Sequence, residues 1–166
     1  MNIVKIPASL PLEFFVKAEQ LVDDTFGEGM FFKQTWDSSI HQWLALQSDN
    51  VGTIVAGYCS AQIKEDTGLG VLKTSVVNPF CRNMGIGDNM VKYRIKWLKD
   101  QNVKVIKSYA WFVDGKVPAQ KMLMNNDFEP WGDVREYWSK DHNKGFPCVS
   151  CGDNCKCVAR IFEYKG

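Results

Sequence analysis

Between Trp43 and Trp111 the spacing of apolar residues changes from two to about 3.6 and back again, and that order restricts the chain to a sheet of mixed direction flanked by helices. Trp43–Gln47 and Thr53–Lys64 read as extended; in the second run Val55, Gly57, Cys59, Ala61 and Ile63 alternate with Ile54, Tyr58, Ser60, Gln62 and Lys64. A turn at Asp49-Asn50 makes them an antiparallel pair. The polar stretch EDTGLG, residues 65–70, leads into a third strand, Val71–Val77, which Asn78-Pro79 ends. From Ile86 to Asp100, Met90, Tyr93 and Trp97 form one row and Val91, Ile95 and Leu98 the next, a broad helical stripe. Val103–Trp111 then reads as a buried strand. Strand, helix and strand in this order predict a right-handed crossover between parallel neighbours. The expected fold class is α/β (α+β), with a mixed, mostly antiparallel sheet.

Outside this block, Asn2–Ile6 reads as a strand, and Ser9 with Pro11 opens a helix in which Phe15, Ala18, Val22 and Phe26 recur on one face. Gly27–Ser39 lacks clean periodicity and reads as a loop with one helical turn at most. Lys116–Asn126 is a short helix, Phe128–Lys140 is extended, Asp141–Lys156 is irregular, and Cys157–Lys165 is a last strand. At 166 residues one core is the default, so residues 1–166 are expected to form a single domain. Twenty Lys and Arg stand against nineteen Asp and Glu, which leaves no field for nucleic acid or an anionic membrane. No run of eighteen apolar residues occurs, and Met1–Leu10 lacks a basic start followed by an apolar stretch. A cytoplasmic location is the expectation.

The segment richest in chemistry is Val76-Val77-Asn78-Pro79-Phe80-Cys81-Arg82-Asn83-Met84-Gly85-Ile86-Gly87, a strand that ends, turns and enters a helix through two glycines. Backbone N–H groups at a helix start face outward with partial positive charge, which suits a pyrophosphate. Glycine lets phosphates come close to the backbone. The spacing is neither that of dinucleotide folds nor that of P-loops, and a tight connection alone would also use two glycines.

The whole string resembles the acetyl-CoA signature of the GNAT N-acetyltransferase superfamily, in which a strand and Val-x-Pro precede Arg/Gln-x-x-Gly-x-Gly/Ala, here Arg82-Asn83-Met84-Gly85-Ile86-Gly87. The order of elements, with Ala119 and Phe128 in the second short helix and after it, is similar to that family over nearly the whole chain. The resemblance implies that Arg82, Asn83, Met84, Gly85, Ile86 and Gly87 cradle the coenzyme's pyrophosphate, with Asp88 in the first turn after them. It implies that backbone groups of Val76 and Val77 pair with the pantetheine arm, between splayed parallel strands, and that an N–H of Val77 or its neighbour meets the oxyanion. The implied reaction is direct transfer of acetyl from acetyl-CoA to a primary amine, of a small molecule, peptide or protein; a homodimer is left open.

The chain also departs from the family's pattern. The family often carries a Tyr in a Tyr-x-x-x-Gly-Phe setting, and alignment on Phe128 puts Leu123 at that Tyr and Asp127 at that Gly. Lys116 stands nearest the Asn that commonly begins the helix. Tyr109, near the end of the crossover strand, is the substitute acid by location, against core or rim packing as the plainer role. Cys81 has no His near it in sequence to make a thiolate and reads as a small residue in a turn. His41 opens a strand and reads as exposed or satisfied; His142 is a remote candidate for a ligand or acceptor-site group. Asp23, Asp24 and Glu28 could attract a cationic acceptor or simply be solvated.

Cys148, Cys151, Cys155 and Cys157 place four thiols within ten residues, and Gly152 can make the tight turn that folds the first pair back. Four soft ligands saturate zinc in a tetrahedron, so a structural zinc is expected; an iron–sulfur centre, disulfides and free thiols are the alternatives. Cys155-Lys156-Cys157 must bend if both bind, because a regular strand would aim them to opposite faces. The proposed task of the metal is to fix the wall on the acceptor side. A second function class stays open throughout: a non-catalytic CoA-binding module whose cysteine knuckle is an interaction surface.

Overall fold

The structure is a computed structural model that describes residues 1–6, 10–142 and 148–166, with the side chains of residues 141 and 142 left aside. Ser9 and the side chain of His142 therefore lie outside what is described. Strands β1 (Asn2–Ile6), β2 (Ile40–Ser48), β3 (Thr53–Lys64), β4 (Leu69–Val77), β5 (Val105–Phe112), β6 (Phe128–Val134) and β7 (Val158–Tyr164) form one sheet in the order β1-β2-β3-β4-β5-β7-β6. Every pair is antiparallel except β4 with β5, joined through helix α3 (Ile86–Asp100). The mixed, mostly antiparallel sheet is thus as expected. No helix among the described residues is long and apolar enough to cross a membrane.

Helices α1 (Leu12–Phe26) and α2 (Met30–Trp36) cover one face of the sheet and α3 with α4 (Gln120–Met124) the other. Leu44, Tyr58 and Val76 pack with Ala18, Val22 and Phe31. Trp43, Cys59 and Leu72 pack with Met90 and Leu98. The central strands are therefore buried on both sides, and the alternation along β3 sorts residues between two cores rather than between core and water. In α1 the buried row runs through Phe14, Ala18 and Val22, with Phe15 and Phe26 packed at its margin.

Several boundaries differ from the sequence expectation; β2 starts at Ile40 rather than Trp43, and β5 at Val105 rather than Val103. Gly27–Ser39 contains a two-turn helix, α2, too short to show a period. It is held from outside: the Asp23 carboxylate accepts the N–H groups of Gly29 and Phe31, each at 2.9 Å, and the Phe31 ring meets Tyr58 at 5.7 Å. Asp23 is thus a helix cap rather than a free charge for an acceptor. Strand β4 begins at Leu69, two residues earlier than expected. Helix α4 starts late because Val113 and Lys116 exchange N–H···O bonds of 2.9 Å across a tight turn with Asp114 and Gly115 at positive φ. The segment after Phe128 leaves the sheet at Val134 and includes a single turn, α5 (Ser139–His142).

His41 lies on β2 with its ring 4.6 Å from Trp97 and 6.4 Å from Trp43. Burial, and then the charge of Lys5, hold it below the usual imidazole value of 6.5. The unfolded chain consequently binds more protons than the native one just below that value, so stability rises with pH through this window and falls on acidification. The urea midpoint is expected to drop from pH 7.5 to pH 5.5 by less in His41→Phe than in the parent. Equal drops would exclude His41 as a contributor.

Candidate functional site

Asn78 shapes the end of β4. Its N–H donates to Ala56 O at 2.9 Å, its side-chain amide to Val55 O at 3.1 Å, and its Oδ1 accepts the Phe80 N–H at 3.1 Å, starting one 3-10 turn over Pro79–Cys81. The chain then passes through two left-handed residues, Asn83 (φ 61°) and Gly85 (φ 74°), and enters α3. Gly85 caps the helix with no side-chain hydrogen bond, and the first backbone bond of the helix runs from Asn89 N–H to Gly85 O at 3.0 Å. The N–H groups of residues 83–88 have no acceptor among the described residues. Such orphan donors at a helix start, on an exposed turn, make a nest for an anion.

The two glycines serve different ends. A Cβ on Gly85 would meet nothing within 4 Å, so its need is the positive φ. A Cβ on Gly87 would lie 2.8 Å from Met122 Sδ, so a side chain there would have to displace the flexible end of Met122. Asp88, beside it, accepts from Asn126 Nδ2 at 2.9 Å, a tie from α3 to the turn that follows α4.

Next to this turn the sheet opens. Strands β4 and β5 pair only from Leu69↔Val105 to Leu72↔Ser108; past that point β5 continues along β7 while β4 stays with β3. Alternate residues of an antiparallel strand turn their backbone groups to alternate edges. Since Asn78 donates to β3, Val76 faces β3 as well, and Val77 presents its N–H and C=O to the cleft between β4 and β5. Tyr109 is the first residue of β5 beyond the last pair, at the cleft's inner end.

A bulge sets the direction of the open edge. Between Cys59↔Ser75 and Ala61↔Leu72 the register slips, so that Ser60 opposes two residues of β4. Arg94 of α3, only 1% exposed, fills the break: Nη1 donates to Ser60 O at 3.0 Å and Thr74 O at 3.2 Å, Nη2 to Ser75 Oγ at 2.6 Å, and Nε to Met90 O at 3.1 Å. From the opposite face Ser60 Oγ donates to Gln34 Oε1 of α2 and accepts the Thr74 N–H at 3.1 Å. Burial lowers the Arg94 value from that of a free guanidinium, and the neighbouring Cys59 thiol is itself pushed up by burial to about 11. Sequence reading missed Arg94 altogether, since a lone Arg on an amphipathic helix reads as solvated.

The aligned position for the missing helical Tyr holds Leu123, 2% exposed and packed in the α3 core. Asp127, aligned with a glycine, has φ 61°, which accounts for a glycine pattern at that place. Tyr109 stacks on Tyr137 with ring centroids 4.7 Å apart and planes 12° from parallel.

The four cysteines converge. Cys148 and Gly152 exchange backbone hydrogen bonds of 3.1 and 2.8 Å around a knuckle in which Gly152 has φ 65°. The Sγ atoms of Cys148, Cys151, Cys155 and Cys157 lie within 4.8 Å of one another, with contacts of 3.6 Å (Cys148–Cys157) and 3.5 Å (Cys151–Cys157). A zinc bound at 2.3 Å by four sulfurs would space them about 3.8 Å apart, so the set fits a tetrahedral ion with little adjustment. Strand β7 starts only at Val158, which frees Cys155 and Cys157 to point the same way. Burial, and then the neighbouring thiols, raise Cys157 above the usual thiol range. Burial also opposes ionisation of Cys148, but N–H donation from Ser150 and Cys151 and bonds from its fellow thiols outweigh it and hold that group lower.

Residues 11–128 match the family model described as the acetyltransferase (GNAT) family. The fold is similar to that of a GNAT family acetyltransferase from Elizabethkingia anophelis with acetyl-CoA bound, with a TM-score of 0.70 at 17% identity over 99% of this chain and 97% of that one. It is similar to aminoglycoside 6'-N-acetyltransferase from Enterococcus faecium, 0.71 at 12% identity over 99% and 96%. A third likeness is to an IAA acetyltransferase from Bacillus cereus, 0.66 at 14% identity over 97% of each chain. No curated protein sequence matches. At these identities the structural likeness establishes the fold.

Proposed function

Because this chain belongs to the GNAT family of acetyltransferases, we propose that it moves acetyl from acetyl-CoA to a primary amine in one direct step. The observation that carries this reading is the open edge of β4, where Val77 turns its N–H and C=O into a cleft that ends at the unpartnered amides of residues 83–88. In this reading the pantetheine arm lies along Val77, and the pyrophosphate rests on those amides with the charge of Arg82 beside it. The amine lone pair attacks the thioester carbonyl carbon. The C–N bond forms, the C–S bond breaks, one proton leaves the nitrogen, and one reaches the departing thiolate. The Val77 N–H would hold the oxyanion and the Tyr109 hydroxyl would supply the proton to sulfur. In the same reading the cysteine set holds a structural zinc, since four thiolates leave the ion no open position for water.

Calorimetry with acetyl-CoA tests the first half. Arg82→Glu is expected to weaken binding about tenfold or more, roughly 1.4 kcal/mol. Gly87 is a less direct place for such a test, because a side chain there also displaces Met122. Thiol release over a panel of polyamines, aminoglycosides and Lys-containing peptides tests the second half. Tyr109→Phe is expected to lower kcat about 100-fold with coenzyme affinity unchanged. Absence of heat at millimolar acetyl-CoA would overturn the coenzyme reading. The burial of Leu123 where the family often has its acid favours the second reading, a non-catalytic CoA-binding module. Heat of binding without transfer to any amine would establish it.

A further inference from the structure

The cysteine cluster and the cleft are joined by an unbroken line of aromatic rings. Trp111 and Trp138 both pack against the cluster of Cys148, Cys155 and Cys157. Trp138 meets Tyr137 edge-on at 4.9 Å, and Tyr137 lies flat on Tyr109. Tyr109 and Trp111 stand two residues apart on β5, so they share one face of the sheet, opposite Ile106 and Ala110 in the α3 core. Tyr137 and Trp138 follow β6 in a segment with one helical turn.

We propose that Tyr137 is a positioning residue that transmits the state of the Cys148, Cys151, Cys155 and Cys157 cluster to the Tyr109 ring, so that acetyl transfer depends on the cluster's holding a metal. With the four sulfurs drawn onto one ion, Trp111 and Trp138 have a rigid floor, Tyr137 is clamped between Trp138 and Tyr109, and the Tyr109 hydroxyl keeps one place at the cleft. With the cluster empty the loop relaxes and the clamp loosens. Misplacement of a reacting group by about 1 Å is enough to cost on the order of 100-fold in rate. The inference rests on the readings of zinc and of Tyr109 given above.

The test compares the full chain, zinc-loaded and chelator-stripped, as parent, Tyr137→Leu and Tyr137→Phe. The readouts are metal content, the 19F resonance of fluorotyrosine at position 109 (assigned with Tyr109→Phe), and kcat and KM for acetyl-CoA with the best amine of the panel. Stripping the parent is expected to shift the Tyr109 resonance and lower kcat about tenfold or more, with KM for acetyl-CoA within about twofold. Tyr137→Leu is expected to retain zinc, to show the stripped resonance already, and to lose no further rate on stripping. Tyr137→Phe keeps the stack and is expected to retain the parent's response to stripping. If stripping unfolds the chain, Tyr137→Leu against Tyr137→Phe in the zinc-loaded state decides alone. The coupling is overturned if stripping affects Tyr137→Leu as much as the parent, if zinc-loaded Tyr137→Leu matches Tyr137→Phe, or if no metal binds. A Tyr109 resonance that follows the metal in a protein that acetylates nothing would uphold the coupling and overturn only the reading of acetyl transfer.

Discussion

Chelating the metal from the zinc-loaded protein is expected to lower its melting midpoint by about 10 °C or more, the largest effect of any single perturbation of this chain. Structural zinc binds small peptides with an apparent ~10–16 kcal/mol, against ~5–15 kcal/mol for the stability of an entire domain. Only part of that reaches the global transition, because the knuckle can open while the sheet stays folded. The coupling is nonetheless direct: Cys157 is followed at once by Val158, the first residue of β7, and β7 pairs with both β5 and β6. If about 4 kcal/mol is shared, the shift for a domain of this size is roughly 8–16 °C. Cys151→Ser, at the most exposed ligand position, is expected to reproduce most of the loss without touching the core. Differential scanning calorimetry with metal analysis checks both. A midpoint that ignores chelation and Cys151→Ser alike would show that β6 and β7 hold without the ion.

The sequence made some of this legible because certain elements are fixed by local chemistry. Helix α3 begins and ends where the apolar stripe does, since Gly85 and the turn before it admit few other paths. The knuckle at Gly152 was legible for the same reason. What escaped reading depends on partners far along the chain. Helix α2 is stabilised by Asp23 and Tyr58, neither of which lies within it. Tyr137 and Trp138 gain meaning only when β7 returns and sets the cysteines beneath them. The difference between Gly85 and Gly87 is likewise invisible in the motif, because Met122 approaches only one of the two.

Arg94→Met is expected to destabilise the protein by about 3 kcal/mol. Most residues that resemble Arg94 in sequence could be changed at almost no cost, because an Arg on a solvated helix face contributes little. Here the guanidinium is buried, and its acceptors are three carbonyl oxygens and one hydroxyl, with no carboxylate among them. Two opposing terms decide the sign. Removing the cation relieves the desolvation that lowers its own pKa, a gain that can reach several kcal/mol when the whole polar set is replaced by apolar groups. In Arg94→Met, however, the buried backbone oxygen of Ser60 and the partly buried one of Thr74 each lose their charged donor at ~1–3 kcal/mol. Two such carbonyls together, with the Ser75 hydroxyl also left without its donor, outweigh the relief, so the second term prevails. Because the bulge aims the Val77 edge at the cleft, acetyl-CoA affinity is expected to fall along with stability, whereas in Cys151→Ser, far from the bulge, affinity should hold. Urea unfolding and calorimetry on Arg94→Met decide the matter: stability within about 0.5 kcal/mol of the parent would mean that the bulge carbonyls find water once the guanidinium is gone, and that β4 needs no strut from α3.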